Sequence, residues 1–292
     1  MEYGEFKTKL KEKICAAFPL DEYSVVIREV CKNNNTTKQG IFIKRNGSDA
    51  TPIFYFDELW DAFQSGTSIE GLIDFIREYL QAADKSDIET ITQMIIDYER
   101  VKEKIYCKLV KIKGNDELLR THPYKTYLDI AVIYYIAVDM TRTLNVSEAL
   151  MGIWGINKYE LDEQAWKNTL KDLSPFFSSM HDVLRELTGA DDFAVKNEEF
   201  PLYILSNEQK HFGAICIRYP GILKEISEKV GGSFYILPSS VHEWIIIPAY
   251  DCFNVDELSG LVQAVNDKEV EPEEVLSDHA YFYSTALGQI VF

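Results

Sequence analysis

The sequence predicts an α+β protein with mixed, mainly antiparallel sheets packed with amphipathic helices. The first observation behind this prediction is the N-terminal order of one helix, a three-strand meander and two helices. The second is residues 213–249, which contain a short apolar strand, a short helix and two further strands. The third is composition, because 46% of the 292 residues are hydrophobic and can bury a sizeable core, and this length suggests about two domains.

The N-terminal elements are predicted from spacing and turn residues. Residues 3–18 form a helix, because large apolar residues recur every four positions: Phe6, Leu10, Ile14 and Phe18. Three strands are expected next, separated by a turn at residues 33–40 and by Arg45-Asn46-Gly47: residues 23–30, 40–44 and 52–56. Asp57 is expected to cap one helix, and Thr67 or Ser68 the next.

Residues 88–104 predict one long helix with a charged, solvated face that leaves the N-terminal unit. We place the domain boundary at the end of this helix. The N-terminal α+β unit is then residues 1–103, and the C-terminal α+β unit is residues 104–292.

The first strands of the C-terminal unit are expected at residues 105–112 and 128–139. Periodicity alone does not separate a buried strand from a buried helix at 128–139, but the Ile, Val and Tyr content favours a central strand. Residues 142–146 are expected to pair beside it. Ser147 and Asn157 then begin two helices.

Two stretches, residues 54–80 and 144–170, share one order of elements. Each contains a strand, a short helix with a tryptophan, a glycine and a longer helix. An internal duplication of one strand–helix–helix unit would produce this order, and so would chance.

The C-terminal unit contains the clearest pattern in the chain, a βαββ signature at residues 213–249. It consists of a strand at 213–217, a helix that Pro220 begins and Gly231-Gly232 ends, and two strands joined by the turn at 238–242.

The flanks of this signature are predicted with less detail. Ser178 or Ser179 caps the preceding helix, and residues 190–199 resemble a linker. Asn254 caps the following helix, whose inward apolar positions are Val255, Leu258, Leu261, Val262 and Val265.

The charge of the chain argues against nucleic acid and anionic lipid as partners. The net charge is −17, from 47 acidic and 30 basic residues, and no basic patch interrupts it. Residues 251–292 hold nine acidic residues and one basic residue, a net charge of −8. This acidic segment is therefore a candidate docking site for a basic partner protein. The sequence leaves the oligomeric state open.

Cysteine usage and hydropathy predict a cytoplasmic protein without disulfides. The five cysteines are an odd number, none is spaced as C-x-x-C, and four lie in apolar surroundings as small core residues. The N-terminus lacks an apolar signal core. The longest apolar run, residues 130–138, is much shorter than the ~20 residues that a membrane helix needs.

The sequence shows no metal or cofactor motif. The five histidines never fall at helical ligand spacing: His122, His181, His211, His242 and His279. Phosphate-binding and dinucleotide-binding glycine motifs are also missing, so we expect no cofactor. Two weak ligand sites remain, an anion seat at Pro220-Gly221 and a loop that contains Asn207 and His211.

The candidate catalytic residues are Ser239, Ser240, His242 and Glu243. A catalytic triad needs a serine, an imidazole and a carboxylate that converge in space. Neighbours along a strand point to opposite faces, so His242 and Glu243 cannot both reach one serine while extended. The favoured interpretation is a hairpin turn in which serine hydroxyls bond backbone groups. Cys216 is a poor nucleophile, because apolar surroundings raise the pKa of a thiol.

Three motifs carry a resemblance to a known family. They are YPGILKE at residues 219–225, YILPSSVHE at 235–243 and VNDKEVEPEEVLSDHAY at 265–281. In these motifs the chain resembles a domain-of-unknown-function family of clostridial and related bacterial proteins, and the likeness extends over most of the chain. The resemblance implies a cytosolic bacterial α+β protein, and it transfers neither an activity nor a catalytic residue.

Two functions are expected from these observations. The first is a non-enzymatic binding or regulatory protein with an acidic surface. The alternative is a small hydrolase or transferase whose site forms around Ser239, Ser240, His242 and Glu243, with Asn207 and His211 from the neighbouring loop. A hydrogen bond between His242 and a serine in a concave pocket would favour the enzyme.

Overall fold

The computed structural model describes residues 1–47, 52–82, 85–139, 142–188, 201–250 and 252–291. The chain forms two compact units, Met1–Tyr98 and Glu99–Phe292. Helices accompany antiparallel sheets in both, which confirms the α+β prediction. The predicted boundary between residues 103 and 104, at which two domains would fold separately, stays a prediction. The linker expected at 190–199 lies outside the described residues.

The first unit places helices against a three-stranded sheet of order β1-β2-β3. Its elements are α1 Tyr3–Ala17, β1 Tyr23–Cys31, β2 Thr37–Arg45, β3 Ile53–Tyr55, α2 Phe56–Gln64, α3 Ile69–Ala82 and α4 Lys85–Ile96. The four-residue spacing in α1 has the predicted effect, because Phe6, Leu10 and Ile14 are buried in one core with Ile41 and Ile76.

Two of the predicted helix caps lie in the first unit. Ser68 Oγ accepts the Gly71 N–H at 3.0 Å, which confirms Ser68 as a cap. Asp57 is not a cap, because α2 already begins at Phe56. The Asp57 carboxylate instead accepts a hydrogen bond from the Tyr3 hydroxyl.

The turn between β1 and β2 is shorter than predicted, because β2 begins at Thr37 rather than near Gly40. Asn34 and Asn35 adopt left-handed backbone conformations, with φ of 59° and 54°. The Lys32 N–H donates to Thr36 O at 2.7 Å and closes the turn within its own backbone.

The long helix predicted at 88–104 is wrong, because the chain breaks it twice. Helix α4 ends at Ile96, α5 spans Tyr98–Val101, and a 3₁₀ helix spans Lys102–Lys104. The Asn168 Nδ2 donates to Lys102 O at 2.7 Å and to Ile105 O at 2.8 Å. These bonds take up carbonyls that a continuing helix would have used, and the chain enters a strand.

The second unit contains two sheets. Its strands are β4 Ile105–Lys111, β5 Tyr124–Tyr127, β6 Ile130–Ala137, β7 Thr143–Asn145, β8 Pro175–Ser179, β9 Tyr203–Asn207, β10 Phe234–Ser240, β11 Glu243–Pro248, β12 Tyr281–Ser284 and β13 Gln289–Val291. Its remaining helices are α6 Asp116–Thr121, α7 Glu148–Trp154, α8 Lys158–Asp172, α9 Met180–Thr188, α10 Ile222–Val230, α11 Val255–Glu269 and a 3₁₀ helix Gly213–Arg218.

The smaller sheet has the order β4-β6-β5, and β7 also pairs with β6. Strand β6 is buried along almost its whole length, which confirms the central strand predicted there. The predicted caps beside it are also confirmed: Ser147 Oγ accepts the Leu150 N–H, and Asn157 forms a capping box with Glu160.

The larger sheet has the order β13-β12-β10-β11-β9-β8. Leu258 and Val262 of α11 pack on this sheet against Tyr235, Leu237 and Ile247. Asn254 Oδ1 accepts the Glu257 N–H at 2.9 Å and caps α11 as predicted.

Three further details of the second unit differ from the predictions. Residues 213–218 form a 3₁₀ helix rather than a strand, because they fill a buried space in which the Trp244 Nε1 donates to Ala214 O at 2.7 Å. Strand β8, which pairs with β9, was not predicted. Val255, Leu261 and Val265 face solvent instead of the core, with 36%, 52% and 40% of their surfaces exposed.

The two stretches with similar patterns do share an order of elements. One reads β3, α2, α3 and the other β7, α7, α8. The short helix ends near a glycine with positive φ in both cases, Gly66 and Gly155. A common origin of the two stretches stays a prediction.

Within the described residues, no helix combines the length and apolarity that crossing a bilayer requires.

Candidate functional site

The candidate catalytic residues lie at the tip of the β10–β11 hairpin. The pairing runs from Phe234 opposite Pro248 to Ser240 opposite Glu243, with an irregularity between Pro238 and Ser240. The turn is therefore only Val241-His242, and strand β10 extends through both serines. This geometry confines Ser239, Ser240, His242 and Glu243 to a tight, partly exposed tip.

Both serines bond groups of the turn itself. Ser239 Oγ donates to Glu243 Oε1 at 3.2 Å. Ser240 Oγ accepts the His242 N–H at 3.0 Å. The two hydroxyls therefore stabilise the irregular end of the hairpin, as side chains commonly do in tight turns.

The imidazole of His242 points away from the serines toward two other segments. Its Nδ1 accepts the Phe212 N–H at 3.0 Å, so the proton of the neutral ring lies on Nε2. Nε2 is 3.3 Å from Glu274 Oε1 in the acidic segment after α11. In the described part of the chain, neither ring nitrogen is bonded to a serine hydroxyl.

Asn207 and His211 form the loop that faces this hairpin. The Asn207 side chain is fully buried and donates to His211 O at 2.8 Å, while its Oδ1 accepts the His211 N–H at 3.2 Å. The His211 and His242 rings are 5.3 Å apart between centroids. The structure thus brings together Asn207, His211 and His242, as the sequence suggested.

The electrostatics of this cluster favour a neutral His211. Partial burial lowers the pKa of His211 most, and the nearby His242 and Lys108 lower it further. Glu274 acts in the opposite direction. The cluster therefore has two imidazoles, one ammonium group and one carboxylate in close range.

Sequence reasoning missed Lys108, Phe212 and Gly213, which build the floor of the cluster. Lys108 is buried, and its Nζ lies 4.2 Å from the centre of the Phe212 ring. The Phe212 ring also stacks on His242 at 5.4 Å. A Cβ on Gly213 would overlap Ser206 Oγ, Asn207 N and His242 O. A lysine between apolar residues in β4 was the one signal that could have indicated this site.

The family model described as "Family of unknown function (DUF5688)" matches residues 3–285. The chain belongs to this family. The expected membership of a family without a known activity is confirmed. No curated protein and no solved structure matches the chain.

The other predicted ligand seat, Pro220-Gly221, lies at the start of α10. Gly221 is the residue before the helix, with a φ of 82°. Two N–H groups of this turn already have partners, because Ile222 N donates to Tyr219 O and Glu225 N donates to Gly221 O. Pro220 and Gly221 belong to the family motif at residues 219–225. Neither takes part in the hydrogen bonds of the cluster formed by Asn207, His211 and His242.

Metal and thiol chemistry find little support in the described residues. They contain no group of three or more His, Cys, Asp or Glu side chains arranged to hold a metal ion. Burial raises the pKa of the Cys107 and Cys216 thiols to about 12, so the prediction for Cys216 is confirmed. Cys15, Cys31 and Cys252 are exposed, so fewer cysteines are core residues than predicted.

Two cavities of the second unit lie away from the candidate residues. A groove of about 550 Å³ separates the start of α11 from β12 and β13, and Tyr235, Asp256 and Phe282 are among its lining residues. A cavity of about 250 Å³ lies between β8 and α10. Neither is lined by a residue predicted to be catalytic.

The outward face of α11 carries a mixed row of side chains. Glu257, Leu261, Val265 and Glu269 follow one another at four-residue spacing, and all four are exposed. The apolar pair is therefore bracketed by two carboxylates on one line of the helix. The opposite face of the helix is fixed to the sheet by Leu258 and Val262.

Proposed function

We propose that the protein is a cytosolic bacterial binding protein without catalytic activity, which docks a basic, amphipathic segment of a partner protein on α11. The observation that carries this proposal is the exposed row Glu257, Leu261, Val265 and Glu269. An apolar pair with carboxylates at both ends matches a segment with large apolar side chains flanked by lysine or arginine.

Charge and rigidity support this occupant. Residues 251–292 carry a net charge of −8, so a cationic segment is attracted and an anionic one is repelled. Because Leu258 and Val262 anchor the helix to the sheet, the row is presented on a fixed surface. The five cysteines are unpaired thiols, which supports a reducing compartment.

The enzymatic alternative stays a prediction, and the geometry offers it less support. A serine nucleophile at Ser239 or Ser240 would need the His242 imidazole as its base. That ring is engaged with Phe212 N and Glu274 Oε1, while each serine bonds another group of the hairpin. Catalysis would require the ring to leave both partners.

A labelled peptide tests the docking proposal. The probe is a fluorescein-labelled helical peptide of about 14 residues, with leucines on one face and lysines around them. We expect saturable binding by fluorescence anisotropy. The double variant Leu261→Ser with Val265→Ser should weaken binding by about tenfold or more, because it removes most of the apolar contact.

Two controls separate this site from general attraction to an acidic protein. Ile153→Ser removes an apolar side chain that is 63% exposed elsewhere in the same unit, and it should leave the affinity unchanged. Glu257→Lys with Glu269→Lys should abolish binding, because the row then repels the lysines of the peptide. Equal affinities of the wild type and the Leu261→Ser, Val265→Ser variant would refute the proposal.

A further inference from the structure

The side chain of His242 joins segments that are far apart in sequence. Nδ1 accepts a hydrogen bond from the backbone of Phe212, and Nε2 faces Glu274. The backbone carbonyl of His242 also accepts the Ser206 hydroxyl at 2.8 Å. One residue therefore connects the β10–β11 turn to the 207–213 loop and to the acidic segment after α11.

We propose that His242 is a pH-sensitive clamp, which holds the 207–213 loop when the imidazole is neutral and releases it when the imidazole is protonated. Only an unprotonated Nδ1 can accept the Phe212 N–H. Protonation places an N–H on both ring nitrogens, so that two donors face each other at Phe212. The contact of Nε2 with Glu274 is kept and becomes charge-assisted.

The loop is built to move when this bond is lost. Phe212 has a φ of 51° and Lys210 a φ of 53°, and both are unfavourable for residues with side chains. Such a conformation persists only while surrounding contacts impose it. The bond from Phe212 N to the imidazole is one of those contacts, and the pair of bonds between Asn207 and His211 is another.

The charged groups around the two imidazoles act in both directions. His211 faces the His242 ring from the loop and Glu274 faces it from the segment after α11, while Lys108 of β4 lies near His211 and lowers its pKa. A second proton on the His242 ring creates one imidazolium, whose centroid lies 5.3 Å from that of the His211 ring. Glu274 compensates one positive charge, and Glu243 is already bonded to Ser239. Attraction to Glu274 therefore keeps the protonated ring at the acidic segment, while the bond to the Phe212 N–H is lost.

Release of the loop has a defined consequence for Lys108. This ammonium group is buried, with the Phe212 ring 4.2 Å from Nζ. When Phe212 leaves, Lys108 loses this ring as a cover, and its ammonium group becomes more accessible. The clamp thus couples proton uptake to the exposure of one positive charge.

Amide exchange of the whole chain tests the clamp at single residues. The Phe212 N–H, bonded to His242, should lose protection by about tenfold or more between about pH 8 and about pH 5.5, after correction for intrinsic exchange. The Val241 N–H is the matched reference, because Glu274 O accepts it at 2.9 Å in the same turn. Its protection should change by less than about twofold, since that bond is kept.

Two substitutions at one position separate the clamp from general acid sensitivity. In His242→Asn the amide oxygen stands near the place of Nδ1 and cannot titrate, so Phe212 should stay protected at both pH values. In His242→Gln the acceptor is displaced, so Phe212 should be unprotected at both. His211→Asn should keep the pH dependence of the wild type.

The outcomes decide the proposal even if a variant fails to fold. In the wild type, the midpoint of the change at Phe212 must coincide with the titration of the His242 ring, followed by its own carbon resonances. Constant protection of Phe212 overturns the clamp, and so does a midpoint that follows another histidine. Equal loss at Val241 also overturns it, because this would indicate opening of the whole hairpin.

Discussion

The β1–β2 turn is closed by a bond within its own five residues, from Lys32 N to Thr36 O. The β10–β11 turn is instead held by Phe212, 30 residues before His242, and by Glu274, 32 residues after it. Both hairpins have left-handed residues nearby, but in the first these lie in the turn itself, at Asn34. In the second they are Lys210 and Phe212, in a separate loop.

This difference shows how much of each hairpin is decided locally. Asparagine tolerates the left-handed conformation, so the first turn needs only its own residues. A phenylalanine in that conformation needs support from elsewhere. All five histidines lie in the second unit, so an imidazole can respond to pH only there.

Gly213→Ala is the substitution that we expect to lower the free energy of unfolding most. The added Cβ would overlap two backbone atoms, Asn207 N and His242 O, which cannot move without breaking the clamp. We expect a loss of about 3 kcal/mol or more in the free energy of unfolding, measured by urea denaturation.

Gly152→Ala is the matched control for this substitution. Gly152 lies inside α7 of the same unit, and nothing would lie within 4 Å of its Cβ. Alanine there should stabilise the protein by about 0.5–1 kcal/mol. If both variants kept the stability of the wild type, the close approach at Gly213 would not constrain the hairpin.

The next largest loss of stability is expected at one of two asparagines that each make two hydrogen bonds to the backbone. Asn207→Ala removes a fully buried side chain from the clamped loop and should cost about 2 kcal/mol. Asn46→Ala removes an exposed side chain that donates to Leu20 O and Asp21 O, and it should cost about 0.5 kcal/mol. Urea midpoints of the two variants measure the difference, and a reversed order would contradict it.

The third effect is a loss of stability in acid. In the folded chain, burial lowers the pKa of both His122 and His211 below the usual value. Above about pH 6.5 both rings are neutral in the folded and unfolded chains, and their contribution to stability is complete. As the pH falls further, the unfolded chain binds protons first, so the free energy of unfolding decreases.

Hydrogen exchange resolved along the chain measures where this loss occurs. Between about pH 8 and about pH 5.5, protection should fall at those amides of residues 99–292 that exchange only when the whole unit unfolds, and it should stay constant in residues 1–98. The double variant His122→Asn with His211→Asn should reduce the dependence of this protection on pH. An equal loss in both units would contradict the comparison.

The smallest effect is expected at the self-closed turn. Asn34→Gly relieves the left-handed conformation but makes the unfolded chain more flexible, and these contributions oppose each other. The net change should stay within about 0.5 kcal/mol. A larger change, followed by urea denaturation, would show that this turn also depends on distant contacts.

The features that could be predicted from the sequence are those that depend on near neighbours, and the features that depend on distant contacts could not be predicted. The caps Ser147, Asn157 and Asn254 and the buried face of α1 depend on neighbours within a few positions, and all are confirmed. The strand β8 and the 3₁₀ helix at 213–218 depend on partners far along the chain, and the patterns did not reveal them.

The candidate site shows the limit in detail. The sequence singled out Asn207, His211 and His242 as candidates, because polar residues in predicted turns and loops can be recognised from the sequence alone. It could not show that His242 turns toward Phe212, since that orientation follows from the fold of a loop 30 residues away. Leu261 and Val265 were assigned to the core because a helical stripe does not reveal how wide a face the sheet covers.

The hydrogen bond between Asp129 and Tyr281 has a consequence for the order in which the chain is made. It joins the two sheets of the second unit across 152 residues, at 2.5 Å. A ribosome that adds about 5–20 residues per second needs roughly 8–30 s to synthesise the chain from Asp129 to Tyr281. In the last part of that interval, roughly 2–8 s between Ser240 and Tyr281, β10 is complete but lacks its neighbour β12, and the apolar residues that β12 will cover remain open to other chains. Translation speed and chaperones should therefore affect the yield of this protein most between the synthesis of β10 and that of β12.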